Sequence, residues 1–317
     1  MVIWRISDGK AGHVNQLNSL VDALQQRQQV EEYILPTPKL RTMLLEVAKR
    51  RFTIGKDLPD PTLIACAGHS THLAALWARA VRGGRVITVM KPTMPMQWFD
   101  LCIVPDHDGV RERPGVLVTR GSLNAMGRSS SRDANRALVL IGGPSRHYRW
   151  SDEKIMGQLK MIADRDPHLN WTLISSRRTP QSLISRLREC AVLPPGMRLH
   201  DERVNDSVFL ELARVSRVWV TEDSMSMTYE AITAGGAVGL LEVPRRRNSR
   251  VTRGVDNLIA KGWVTAFKRW EFGELLTPAP LALDEARRCA DWICERFLTD
   301  DLNSNNGKQS ADQAVIN

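Results

Sequence analysis

The segment "RVWVTEDSMSMTYEAITAGGAVGLLEV" runs from Arg217 to Val243 and sets the architecture. Its first run, Arg217–Glu222, is short, β-branched and aromatic, which suits a buried strand. Ser224 stands where a helix N-cap belongs, and a helical pattern follows to about Ala234. Gly235-Gly236 let that helix meet the next strand closely, and Gly236–Val243 supplies the strand. A strand, a helix and a strand joined this tightly imply a parallel pair, because parallel strands need a crossover. Parallel sheets are covered by helices on both faces.

The same alternation extends outward. Near the start come the strand Val2–Ile6, a helix from Val14 to about Gln29 with Leu17, Leu20, Val21 and Leu24 on one face, and the strand "EYIL". A basic helix over Lys39–Phe52, the strand Thr62–Gly68, a helix over His69–Val81 and two apolar runs, Arg85–Met90 and Asp100–Pro105, complete the first half. Gly121–Arg136 is small, polar and Ser/Arg-rich, and reads as a connection. The pattern then restarts at Ala137–Gly143, with later strands "NWTLISS" and "MRLHD", helices near Ser151, Thr179–Cys190 and Ser207–Val215, and a closing helix over Leu283–Leu298. The fold class is α/β: two Rossmann-like domains in tandem, 1–122 and 137–299, joined by a linker at 123–136, with their site expected in a cleft between them. Residues 300–317 are polar without apolar periodicity and are expected to be disordered.

Bulk composition narrows the function classes. The chain of 317 residues suits two domains, and no apolar run approaches the roughly 20 residues of a membrane span. The start "MVIWRISDGKAGH" lacks the basic and apolar pattern of a signal peptide, so the expected compartment is the cytoplasm, at the inner face of the membrane where anionic lipid is contacted. Five scattered cysteines, Cys66, Cys102, Cys190, Cys289 and Cys294, form no CxxC pair and read as reduced, buried thiols; no metal site is expected. A formal net charge of +9 favours anionic partners. Nucleic acid is ranked last and not expected as a partner, since no recognition motif is present and three Tyr and six Phe make a thin stacking surface.

Four loops could carry chemistry. A helix start after Thr221–Asp223 offers free N–H groups and a partial positive charge to a phosphate, near Ser224, Met225 and Ser226. Glu230, in the same helix, could accept from two ribose hydroxyls; the plainer reading is a capped helix with a solvated Glu. Gly142, Gly143, Ser145 and Arg146 follow a buried strand, where glycine admits a ligand to the backbone and the arginine forks onto phosphate; the plainer reading is a tight turn. At the end of the first strand, Asp8 or His13 could take a proton from an attacking hydroxyl, with Lys10 beside them as a cation for an anionic substrate; the plainer reading of His13 is a helix-capping or surface imidazole. Last, Pro244–Gly254 carries Arg245, Arg246 and Arg247, which could hold an anionic substrate, receive leaving-group charge or rest on anionic lipid; the plainer reading is a solvated loop.

Taken together, "SDGKAGHVNQ" (Ser7–Gln16), "IGGPSRHYRW" (Ile141–Trp150) and "TEDSMSMTYEAITAGG" (Thr221–Gly236) resemble the mitochondrial fission ELM-like family, over Trp4 to about Trp263. The family takes its name from a plant elongated-mitochondria fission factor, and its bacterial members are regarded as glycosyltransferases. The resemblance implies a GT-B-like fold, a nucleotide-sugar donor and an envelope glycan or glycolipid acceptor such as lipopolysaccharide core. It implies that "GKAGH" faces the acceptor, and that Ser224, Ser226 and Glu230 hold donor diphosphate and ribose. It further implies no cofactor beyond the nucleotide-sugar co-substrate, with helix dipoles and basic side chains rather than a metal neutralising the leaving diphosphate. The first loop departs from GT-B relatives in having two glycines and an Asp-Gly-Lys start. The alternative is a non-catalytic scaffold of the same fold that binds anionic membrane or a protein partner.

Overall fold

Apolar runs without polar alternation, such as Leu63–Ala67 and Leu101–Pro105, become strands buried on both faces. The computed structural model describes residues 1–126, 131–189, 196–200 and 205–298. These divide into two units, Met1–Ala125 with the stretch from Glu285 onward, and Met126–Asp284.

The first unit is a six-stranded parallel sheet of β1 (Val2–Ser7), β2 (Glu31–Pro36), β3 (Leu63–Ala67), β4 (Arg85–Val89), β5 (Leu101–Pro105) and β6 (Val116–Thr119). Its order is β2-β1-β3-β4-β5-β6, with Ile3 to Ile6 running beside Leu63 to Cys66. Side chains alternate between two cores, as the two-residue period of a strand requires. Leu63, Ala65 and Ala67 enter the core closed by α1 (Ala11–Gln25), which buries the predicted face Leu17, Leu20, Val21 and Leu24. Ile64 and Cys66 enter the other, closed by Met43 of α2 (Leu40–Ala48) and by Ala74, Ala75 and Ala78 of α3 (His69–Arg82).

The second unit repeats the plan with β7 (Asp133–Ile141), α4 (Asp152–Arg165), β8 (Asn170–Ser175), α5 (Gln181–Arg188), β9 (Met197–His200), α6 (Asn205–Arg214), β10 (Val215–Thr221), α7 (Met225–Ala234), β11 (Ala237–Leu241), α8 (Arg250–Ala260), β12 (Thr265–Ala266) and α9 (Phe267–Glu271). Its strand order, β12-β11-β10-β7-β8-β9, is again parallel throughout. Where sheet order reverses, the loops beyond neighbouring strands part and leave room for a ligand. That point lies between β1 and β3 in the first unit and between β7 and β10 in the second.

Three expectations are corrected. The closing helix, α10 (Glu285–Ile293), belongs to the first unit and not to a domain ending at 299. Ala286, Cys289, Ala290 and Ile293 pack with Ile3, Leu20 and Leu24, since an amphipathic helix buries its stripe on whichever sheet face is open. The linker at 123–136 is shorter than expected, because β7 already starts at Asp133. The basic run after Pro244 is a loop only in its first half. At Ser249 a capping box with Thr252 starts α8, so Arg250 and Arg253 are helical. Cys66, Cys102 and Cys289 are buried free thiols and Cys294 is half-buried, while burial pushes the Cys66 thiol up to about 12. Cys190 and the tail expected to be disordered lie outside the described residues. Among the described residues no helix is long and apolar enough to cross a membrane.

Ile293→Ala should cost about 2–5 kcal/mol by opening a cavity under α10. Urea unfolding with residue-resolved hydrogen exchange checks this. Protection should fall in β1 and β3; a fall confined to β7 and β10 would assign the helix to the wrong unit.

Candidate functional site

In the second unit the ends of β7, β8 and β10 are tied by a buried polar network. The Gly142 N–H donates to Thr221 Oγ1 at 2.7 Å, and the Gly143 N–H to Asp223 Oδ2 at 3.0 Å. Arg178 Nη2 reaches the same Asp223 oxygen at 2.9 Å while its Nη1 donates to the Gly143 carbonyl at 3.1 Å. The Thr179 hydroxyl bonds the carbonyls of Ile141 at 2.8 Å and Gly142 at 2.7 Å. Burial raises the Asp223 carboxyl, only partly offset by the Gly143 N–H and the Arg178 charge. Gly142 and Gly143 are glycine for an internal reason. A Cβ on Gly142 would fall 2.4 Å from Asp223 Oδ2, and one on Gly143 1.9 Å from the Arg178 carbonyl oxygen. The sequence reading gave these glycines to a ligand and assigned no role to Arg178, Thr179 or Asp223. The signal available was a polar "SSRRTP" turn directly after a strand.

Ser224 occupies the N-cap of α7 as expected, but its side chain makes no capping hydrogen bond. The side-chain cap read from sequence is therefore not made, and the first-turn N–H groups of Met225 and Ser226 are not covered by it. Ser224 is buried, Met225 half-buried and Ser226 exposed. Further along α7, Glu230 is half-buried, not solvated as the plainer reading had it, and has no hydrogen-bond or ion-pair partner among the described residues. Burial alone pushes its carboxyl up to about 7.

Two nominated loops meet in the second unit. The Arg149 N–H donates to the Pro244 carbonyl at 2.7 Å and the Arg246 N–H to the His147 carbonyl at 2.8 Å. Ser145 shapes its own turn by accepting from the His147 and Tyr148 N–H groups, each at 3.2 Å. Arg245 is paired within the protein, with Glu222 at 2.9 Å and Asp256 at 2.8 Å. Arg246 donates through Nε to the Tyr148 carbonyl at 3.2 Å. Arg146 and Arg247 are exposed; burial and then the charges of Arg146, Arg247 and Arg250 lower the His147 imidazole. Those three arginines thus form a cationic cluster around one imidazole.

In the first unit the loop after β1 folds back on itself. His13 Nδ1 lies 3.0 Å from each Asp8 oxygen, the Lys10 N–H reaches Asp8 Oδ1 at 3.2 Å, and Lys10 Nζ reaches Oδ2 at 3.2 Å. Ser70, in the first turn of α3, donates to Asp8 Oδ2 at 3.3 Å. Burial by itself would raise the Asp8 carboxyl; the Lys10 N–H, the His13 ring and the Lys10 ammonium hold it below its ordinary value. Gly68, at φ +91°, leaves the room that the imidazole fills: a Cβ there would stand 2.4 Å from His13 Cε1. Sequence reasoning missed Gly68 and Ser70, whose signal was the "AGHS" turn at a strand end. Among the described residues no cluster could hold a metal ion; the sequence has Asp-x-Asp spacings at Asp106–Asp108, which flank His107 at 3.9 Å each, and at Asp164–Asp166, where Asp166 pairs with Arg217 at 2.9 Å.

Two parallel Rossmann-like sheets, each with its polar cluster where strand order reverses, give the chain a GT-B-like fold. Within that class the chain belongs to the mitochondrial fission ELM1 family, whose model matches residues 11–297. Its structure is similar to a UDP-GlcNAc 2-epimerase from Methanocaldococcus jannaschii, at a TM-score of 0.59 and 13% identity, covering 93% of this chain and 100% of that one. It is also similar to MurG from Acinetobacter baumannii, at a TM-score of 0.52 and 14% identity over 84% of each chain. At these identities the likeness is one of fold. Comparison by sequence with curated proteins gives no match.

A folded-state pKa above the unfolded value means that Glu230 favours folding while protonated, and that this contribution is lost as pH rises through about 7. Glu230→Gln should therefore leave ligand-free stability unchanged near pH 4 and raise it by on the order of 1–3 kcal/mol at pH 8. Urea denaturation at the two pH values decides this; equal stabilities at pH 8 would mean the carboxylate is already compensated.

Proposed function

We propose that the chain is a glycosyltransferase that moves a sugar from a nucleotide-activated donor to a cell-envelope glycan or glycolipid, without a bound metal. Glu230 carries the reading. A half-buried carboxylate with no partner among the described residues is costly to keep, and a vicinal diol, the pair of ribose hydroxyls, supplies two donors to it. The donor pyrophosphate then rests on the first-turn N–H groups at Met225 and Ser226, which the Ser224 side chain leaves uncapped. Arg146 and Arg247 are the cations for the leaving diphosphate, Arg245 being bound internally.

In the first unit His13 is the base and Asp8 its positioning partner. A carboxylate on Nδ1 holds the proton there and leaves the lone pair on Nε2, as in other oriented imidazoles. Asp8 itself, with its pKa lowered and its oxygens already accepting several donors, is a poor proton acceptor. The acceptor oxygen attacks the anomeric carbon, its proton passes to His13 Nε2, and the electron pair of the broken bond leaves with the diphosphate. The UDP-GlcNAc named for the epimerase of similar fold makes a uridine donor the first to try.

Calorimetry with UDP, ADP, GDP, CDP and IDP, each carrying the ribose diol and a diphosphate, tests the donor half. One nucleotide should bind, about tenfold or more weakly in Glu230→Ala, and more tightly at pH 8 than at pH 6 as the carboxylate ionises. His13→Asn should keep donor affinity and lose about a hundredfold or more in turnover, with EDTA without effect on the parent enzyme. Binding of none of the five, or Glu230→Ala behaving as the parent, overturns the reading in favour of a scaffold.

A further inference from the structure

The face of α2 opposite the core is apolar and unpartnered. Met43 and Val47 turn inward, whereas Leu40, Leu44 and Leu45 are 65%, 57% and 61% exposed. Three leucines so open on a helix of nine residues are unusual on a soluble surface. The exposed charges next to them along the chain have one sign. Lys39 and Arg41 flank the first leucine, and Lys49, Arg50 and Arg51 follow the helix, all exposed and without an acidic partner among the described residues. The acid in the helix, Glu46, is buried and accepts from the Thr53 N–H at 3.2 Å. A second exposed apolar pair, Phe272 and Leu275, lacks this character, because Lys268 and Arg269 there stand among Glu271 and Glu274.

We propose that α2 docks the protein on an anionic phospholipid bilayer. The leucines enter the headgroup boundary, and the arginines and lysines meet lipid phosphates, the combination by which a short amphipathic helix lies in an interface. Charge selects this occupant: a purely apolar partner would leave five cations desolvated, and a second copy of the chain would bring like charges together. The docking is independent of the donor chemistry proposed above and is read without any turnover assay.

The test is flotation of the full chain with phosphatidylcholine vesicles, with and without phosphatidylglycerol. Binding is expected to the anionic vesicles alone and to fall as salt rises. Leu44→Gln with Leu45→Gln, and separately Lys49→Glu with Arg50→Glu, should each lower apparent affinity by on the order of tenfold or more while leaving the melting temperature unchanged. Parent protein that ignores anionic vesicles, or variants that bind as the parent does, overturn the proposal. So does a parent dimer in sedimentation that the leucine variant dissociates, since the face would then be a self-association surface.

Discussion

Asp223 is the residue on which the second unit's strand ends depend. A carboxylate closed off from water is tolerated only where donors converge on it. Here the Gly143 N–H and the Arg178 guanidinium do so, with the Thr221 hydroxyl alongside. The arrangement sets the path of the loop after β7, since nothing larger than glycine fits beside the carboxylate at Gly142 or beside the Arg178 carbonyl at Gly143. The first unit solves the same problem with Asp8, which gathers its own loop and the start of α3, and with Gly68 as the residue that must lack a side chain. Both parallel sheets thus end in an acid, a glycine and a cation at the point of strand-order reversal.

Two carboxylates lie within one turn-and-helix segment and are treated oppositely. Asp223 Oδ2 has its donors supplied from within the protein, which offsets part of the burial; Glu230 has burial and nothing to offset it. A chain selected for stability alone would have replaced or paired the second. Local rules broken without compensation mark the positions where a fold serves something other than itself.

How much of this was legible follows from the range of the interactions. The βαβ unit over Arg217–Val243 was readable because periodicity and capping are local, and β10, α7 and β11 fall where expected. The Asp8–His13 pair was readable as a neighbourhood, the two lying five residues apart across the loop and first turn of α1, though which of them orients the other was not. The internal pairing of Arg245 was not readable because its partners, Glu222 and Asp256, sit on other elements and leave no mark on the arginine run. Gly68 owes its identity to an imidazole from a different strand end. Strand β12, two residues long, carries no period at all.

Helix α10 joins the core of the unit that holds β1, so the second unit is an insertion within the first. During synthesis the inserted unit emerges whole, with all six strands, while the earlier sheet still lacks Cys289, Ala290 and Ile293 from one of its cores. The part translated first is therefore the last to close. Until then an apolar face of its sheet stays open to chaperones, or to a wrong partner, for most of the time the ribosome spends on the chain.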